Sequence, residues 1–260
     1  MKKFWLLILT LVSTTTFAAP KSELWAYWDN SDESNPKVIS HQEWQSFLDK
    51  YLVQDGQHHL IKYASVSNSD KALLNNYINA LAALDPKSFN RAEQYAYWVN
   101  LYNAITVDLI LDAYPVKSIT KLGGLFSFGP WGEEVITVDG KKLTLNDIEH
   151  RILRPIWNDA RTHYAVNCAS LGCPNLQAQA FTSQNTQMLL EQAAKAFVNS
   201  DKGVMITSKG MTLSSIYEWF TEDFGGNDAA VIKHLQQYRS DVPSSVKIRY
   251  DYDWDLNQTK

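Results

Sequence analysis

The sequence predicts a single α+β domain, rich in helix, with a mostly antiparallel sheet built from hairpins. Three observations carry that prediction. Asp139-Gly140 joins the short runs 134–138 and 141–145, and a two-residue Asp-Gly connection is a strong hairpin signal because both turn positions need positive φ. Ser208-Lys209-Gly210 joins 204–207 to 211–213 in the same way. Several capped stretches with a 3.6-residue apolar period lie around these hairpins. Hairpins argue against a purely parallel sheet, and the absence of a Gly-x-Gly-x-x-Gly run leaves a dinucleotide-binding fold unsupported.

In chain order, Lys2 and Lys3 precede an apolar run, Phe4 to Val12, broken only by Thr10, then Ser13 to Thr16 and Phe17-Ala18-Ala19-Pro20. This is the layout of a secretory signal peptide over 1–18, cleaved after Ala18 so that the mature chain begins at Ala19. The apolar run is shorter than the ~20 residues of a spanning helix. No second apolar stretch of that length follows, so no membrane span is expected after cleavage.

Residues 19–85 read as an N-terminal helical extension. Its polar lead carries Trp25, Tyr27 and Trp28. Ser40 with Glu43 forms a capping box for a helix bearing Trp44, Phe47, Leu48 and Tyr51. His58-His59 reads as a solvated turn, and Ser69 to Leu84 as a second helix stopped before Pro86.

Residues 86–257 read as the α+β core. A long helix runs from Asn90 to about Ala113, with Asn100 and Asn103 on one flank of its apolar stripe, placed to tie a loop or line a site. Gly123 to Gly132 is a glycine and aromatic loop. Thr144 and Asp147 cap a short helix that Pro155 ends, and Thr162 to Asn167 reads as a buried strand. Ser215 and Glu218 cap a helix that Gly225-Gly226 terminates. From Val246 to Trp254 apolar and charged residues alternate, predicting a strand beside Thr162–Asn167 with Tyr250 and Trp254 facing the core.

Of 260 residues, 24 are Lys or Arg and 28 are Asp or Glu, a formal charge of −4 that becomes −6 without the leader lysines. Such a balance gives no reason to bind nucleic acid. Hydrophobic residues at 45% are enough for an ordinary core, and two cysteines are too few for a disulfide scaffold.

The chemistry concentrates between Glu149 and Pro174. Two of the six histidines, His150 and His163, lie close in sequence to the two cysteines, Cys168 and Cys173. A thiol enzyme needs a cysteine held as thiolate, an imidazole, and a group that orients it. Cys168 with His150 or His163, and Glu149 or an asparagine as orienter, supplies those types. His150 is the preferred base and His163 the second choice, while Asn103 and the backbone N–H groups of Ala169 to Leu171 would hold an oxyanion. Three states of the cysteines stay open: a local Cys168–Cys173 disulfide, a nucleophilic Cys168, or two inert thiols. Zinc on His163, Cys168 and Cys173 lacks a fourth ligand. The Asp251, Asp253, Asp255 row forms one exposed face and is a minor calcium candidate.

Trp98-Val99-Asn100-Leu101-Tyr102-Asn103-Ala104, Leu145-Asn146-Asp147-Ile148-Glu149-His150 with Leu153-Arg154, and His163 to Pro174 together resemble the family called domain of unknown function 547. Ser214-Ser215-Ile216 with Trp219, Asp223-Phe224-Gly225, and Tyr252-Asp253-Trp254 with Leu256-Asn257 resemble its later motifs. The resemblance spans roughly 89–225 plus the last strand. It implies emphasis on Asn103, Glu149, His150, Arg154, His163, Cys168 and Cys173, without a reaction attached.

The expectation is therefore an exported, periplasmic or secreted, thiol-dependent hydrolase or transferase acting on an amide or peptide-like substrate, with no cofactor and no resident metal. The alternative is a non-catalytic periplasmic binding or scaffold domain braced by a Cys168–Cys173 disulfide.

Overall fold

The computed structural model describes residues 19–124 and 127–259. The expected signal peptide, 1–18, lies outside the described residues.

The N-terminal lead makes a 3-10 turn at Ala26–Trp28 and buries Trp28 against Trp98, ring centroids 5.1 Å apart. Helix α1 (Gln42–Tyr51) runs into the hairpin β1 (Leu52–Asp55) and β2 (His58–Ile61), and α2 (Asn68–Ala82) follows. The helix α3 (Arg91–Ala113) is capped by Asn90, whose side chain accepts from the Glu93 N–H. Its residues are buried almost all round from Glu93 to Val107, so it is the central post of the fold rather than a surface helix. Polar residues on α3 tie loops to it. Asn100 donates to the Phe181 carbonyl and accepts from the Phe181 N–H, and Glu93 accepts from Ile39 N.

Next come the hairpin β3 (Ile136–Val138) and β4 (Lys141–Leu143), a π-helical segment Asp147–Leu153, α4 (Arg154–Trp157), α5 (Thr162–Ala165) and α6 (Thr186–Val198). Strands β5 (Val204–Thr207) and β6 (Gly210–Ser214), helices α7 (Ile216–Trp219) and α8 (Asp228–Leu235), and strand β7 (Ile248–Asp251) complete the chain. Among the paired strands of the described residues β6–β7 is parallel, and β1–β2, β3–β4 and β5–β6 are antiparallel hairpins. The chain is thus a helix-rich, single-domain α+β fold with small, mostly antiparallel sheets. Among the described residues no helix is long and apolar enough to cross a membrane.

Two apolar clusters form the interior. The larger runs from Trp28 through α1, α2 and α3 to Leu256, so residues before 86 pack into the same core as those after it. The smaller gathers α6, β5, β6, α7 and α8. Tyr164 belongs to the smaller cluster and its neighbours Ala165 and Val166 to the larger, which places the cysteine-bearing segment at their seam.

Five local expectations are corrected. Thr162–Asn167 is not a strand: it is one helical turn, closed by Val166 N donating to Thr162 O, followed by extended chain. A short run buried all round has no period that separates strand from helix. The terminal strand pairs with β6, Leu213 opposite Tyr250, instead of with 162–167. Beyond it the chain crosses to the cysteine loop, where Leu171 N donates to Asp255 O and Gly172 N to Asp253 O. A Cβ on Gly172 would sit 2.7 Å from the Asp253 nitrogen, so only glycine permits that approach. Pro155 does not end its helix. It occupies the first turn of α4, where its missing N–H costs nothing, and Asn158 in the left-handed region ends the helix instead. His41, not Ser40, is the N-cap of α1, and its Nδ1 lies 2.6 Å from the Tyr77 hydroxyl. His58 and His59 belong to β2, and His59 N donates to Asn175 Oδ1.

Candidate functional site

A cavity of about 540 Å³ opens at the seam. Glu149, His150, His163, Cys168 and Cys173 all line it, and Asn103 does not.

One wall is the π-helical segment. Its start is a reciprocal cap: Asp147 accepts from Thr144 N at 2.9 Å, and Thr144 Oγ1 accepts from Asp147 N at 3.0 Å. The expected Thr144–Asp147 box therefore forms. The residues that follow turn inward in succession, so Glu149, His150 and Leu153 are all buried. Single π turns of this kind recur at functional sites. The N-terminal lead straps this wall from outside, Glu23 N donating to His150 O and Trp25 N to Arg151 O.

Arg154 organises the charges behind the wall. Its Nε donates to Asp223 Oδ2 at 2.6 Å, and its Nη1 donates to His150 Nδ1 and to the Pro20 carbonyl, each at 2.9 Å. An arginine only donates, so His150 Nδ1 is an acceptor and the ring proton sits on Nε2. Burial, with Arg154 and His163 adding to it against the pull of Glu149, holds the His150 pKa at about 4. His150 is neutral at pH 7 and presents Nε2–H, so it cannot act as the expected base at that nitrogen.

His163 is stacked on Phe220 at 4.2 Å, and its Nε2 donates to Asp223 Oδ2 at 2.6 Å. Its Nδ1 faces Glu149 Oε1 at 3.7 Å. Burial pushes the Glu149 carboxyl up, but the imidazoles of His150 and His163 and the Arg154 guanidinium outweigh it and bring the pKa to about 2. Burial likewise raises Asp223, yet its hydrogen bonds from His163 and Arg154 keep it far below the usual carboxylate range.

The thiols form the opposite corner. Both are free, Cys168 half-buried and Cys173 buried, and no disulfide joins them. Cys168 N donates to Cys173 Sγ at 3.0 Å. Cys168 Sγ meets the Tyr252 hydroxyl at 2.9 Å and the Ser170 hydroxyl at 3.2 Å. Burial raises the Cys168 pKa, and hydrogen bonds from Cys173, Ser170 and Tyr252 more than reverse that, so it lies below the ordinary thiol value. Burial drives Cys173 well above it. Beneath the loop, Lys202 Nζ donates to Cys173 O and Asn175 Oδ1, both at 2.7 Å, and its burial lowers its pKa to about 8. Among the described residues neither imidazole hydrogen-bonds to Cys168.

The backbone around Cys168 is held from several sides. Ala169 adopts φ of 56°, a conformation that costs an L residue about 1–2 kcal/mol. Asn167 pins it, its Oδ1 accepting from Ala169 N and its Nδ2 donating to Pro174 O. Asn103 pins the approach, donating to Ala165 O at 2.9 Å and accepting from Asn167 N at 2.8 Å. Both ends of the Asn103 amide are thereby occupied. The N–H of Ala169 is bound to Asn167 and that of Leu171 to Asp255, so these expected oxyanion donors are committed too. His150 Nε2 is a donor at the cavity that these bonds leave open, and the Tyr252 hydroxyl lies beside the sulfur.

The zinc candidate does not assemble: His163 Nε2 is taken by Asp223, and among the described residues no three His, Cys, Asp or Glu side chains converge as a metal requires. Asp223 and Tyr252 are the site residues that residue-by-residue reading missed. They lie 60 and 84 positions from their partners His163 and Cys168, and only the later family-like motifs containing them pointed their way.

The fold and site define an α+β domain in which a thiol and a buried imidazole–carboxylate–guanidinium network open on one cavity. Residues 86–198 match the family described as "Protein of unknown function, DUF547", which supports the resemblance carried by the motifs in that span. The match takes in α3, the π-helical wall, α5, the cysteine loop and α6, and it stops before Asp223 and Tyr252. No curated protein and no solved structure matches the chain.

Proposed function

We propose that the protein is an exported thiol-dependent hydrolase or acyltransferase acting on an amide or peptide-like carbonyl. The observation that carries this reading is the shared cavity: Cys168 opens onto the same space as Glu149, His150 and His163. Cys168 Sγ attacks the carbonyl carbon, and the C=O electron pair moves onto oxygen. His163 is the base, with Asp223 fixing its tautomer and ring as the carboxylate of a catalytic triad does. The thiol proton passes to His163 and from there to the leaving amine as the C–N bond breaks. Water or a second amine then attacks the thioester, its proton returning through His163, and the thiol is restored. His150, neutral, donates Nε2–H to the developing oxyanion, a role open to an imidazole whose pKa is depressed. Export is supported by the basic, apolar and small-residue order of 1–18, which places the thiols in an oxidising compartment.

The test is alkylation of the unreduced protein with iodoacetamide at pH 6–7, followed by peptide mapping. Cys168 is expected to react at least tenfold faster than Cys173. Two thiols that stay unreactive until reductant is added would replace this reading with a disulfide-braced scaffold. Mass spectrometry of the exported protein should find Ala19 at the N-terminus; an intact Met1 would remove the export claim.

A further inference from the structure

We infer that the cavity selects its substrate by a long apolar acyl chain, laid along an aromatic wall that ends at Cys168. This rests on the thiol reading for the reacting end only; the chain-binding wall stands on separate observations. Trp219 stacks on Trp254 with centroids 5.6 Å apart, and Trp254 meets Trp131 at 5.8 Å and Tyr252 at 4.5 Å. These four rings line the cavity and remain half-buried: each packs one side on a neighbouring ring or on the apolar core and leaves part of its surface open to the cavity. The row has a direction. Trp131 stands on the glycine-rich loop at one end, and Tyr252 at the other places its hydroxyl 2.9 Å from Cys168 Sγ.

The chemistry of the wall narrows the occupant. Glu149, His150 and His163 gather at one end, Ser127 and Asn146 are the polar side chains on the side of the glycine-rich loop, and among the described residues no Lys or Arg lines the cavity. A sugar stacked on tryptophan needs polar partners along its rim, and a free carboxylate needs a cation. A neutral acyl amide needs neither: its carbonyl sits with the polar groups and its chain with the rings. About 540 Å³ is within the range of pockets that enclose a small organic ligand.

The experiment uses N-acylalaninamides of two, four, eight and twelve acyl carbons. Binding is read from tryptophan fluorescence in the full mature chain carrying Cys168→Ser, and turnover from alaninamide release by the wild type. Each added methylene should improve affinity and kcat/KM by roughly three- to fourfold until the wall is covered. Trp254→Ala should cut dodecanoyl binding at least tenfold and shrink the difference between dodecanoyl and acetyl binding; Trp254→Leu and Trp219→Leu, with melting curves, guard against a variant that fails to fold. Equal binding of the acetyl and dodecanoyl compounds, or tighter binding of a chitin tetramer, overturns the inference. Chain-length-dependent binding with no turnover and no fast alkylation of Cys168 would keep the wall and discard the thiol reading. Fast alkylation without chain-length dependence would do the reverse.

Discussion

Arg154 donates from Nη1 to Nδ1 of His150 at 2.9 Å, and this bond decides what His150 can contribute. It turns an imidazole that looks like a base in the sequence into a fixed N–H donor. The same guanidinium holds Asp223, which holds His163, so one side chain sets the orientation of both histidines. Removing it would leave buried carboxylates without their partner, which typically costs 3–5 kcal/mol.

The depressed histidines predict how stability depends on pH. Burial first, with Arg154 added at His150, brings His150, His41 and His234 each to about 4 in the folded chain. Unfolded histidines titrate near ~6.5, so between pH ~6.5 and ~4 the unfolded chain binds protons that the folded chain refuses. Stability therefore rises with pH through that window and is lost as pH falls. The His150 shift corresponds to something on the order of 3 kcal/mol. Urea unfolding at pH 7.5, 6.5, 5.5 and 4.5 should show the decline, flattened in His150→Gln. Glu149, held at about 2, adds a second loss as pH falls from ~4.5. Constant stability from pH 7.5 to 5 would contradict the burial of these rings.

The hydroxyls at Cys168 predict its reactivity. Tyr252 and Ser170 donate to the sulfur when it is a thiolate, and donors to the charged form lower a pKa. Tyr252→Phe keeps the ring in the aromatic wall and deletes one donor. Its alkylation midpoint should move up in pH and its rate at pH 7 fall several-fold, with melting temperature nearly unchanged. Ser170→Ala should act in the same direction, and the double variant further. An unshifted midpoint in the double variant would show that the hydroxyls do not tune the thiol.

Asn103 is expected to act through structure. Asn103→Ala leaves the Ala165 carbonyl and the Asn167 N–H buried without partners, each costing about 1–3 kcal/mol. Stability should drop by that order, and Cys168 alkylation should slow because the loop is no longer pinned. A variant as stable as the parent would show that water replaces the amide.

Much of this was legible in the sequence because it is local. The Asp139-Gly140 hairpin, the start of the long helix at Asn90 and the Thr144–Asp147 box need only neighbours in the chain, and each forms as read. The misreadings are of two kinds. Where β7 pairs depends on a partner tens of residues away, while which nitrogen of His150 is free depends on Arg154, four residues on, whose guanidinium is itself held by the distant Asp223. The shared cavity of Glu149, His150, His163 and Cys168 follows from the fold that brings α5 against the π-helical wall, while the Asp223 and Tyr252 partnerships cross from the second apolar cluster. No spacing rule within one segment encodes them.

Asp223→Asn separates catalysis from reactivity. The amide is nearly the same shape as the carboxylate, but it loses the charge that both Arg154 and His163 use, so about 2–3 kcal/mol of stability should go with it. An amide nitrogen facing His163 Nε2 favours the opposite tautomer, with the proton on Nδ1, where the base needs a lone pair. Release of alaninamide from the dodecanoyl substrate should then fall by roughly 10²–10⁴-fold. Iodoacetamide asks only for the thiolate and no proton transfer to a leaving group, so Cys168 alkylation should stay within a few-fold of the parent. A loss confined to turnover assigns Asp223 to orienting His163. Parallel losses in turnover, alkylation and melting temperature would make it a structural anchor, and unchanged turnover would remove His163 as the base.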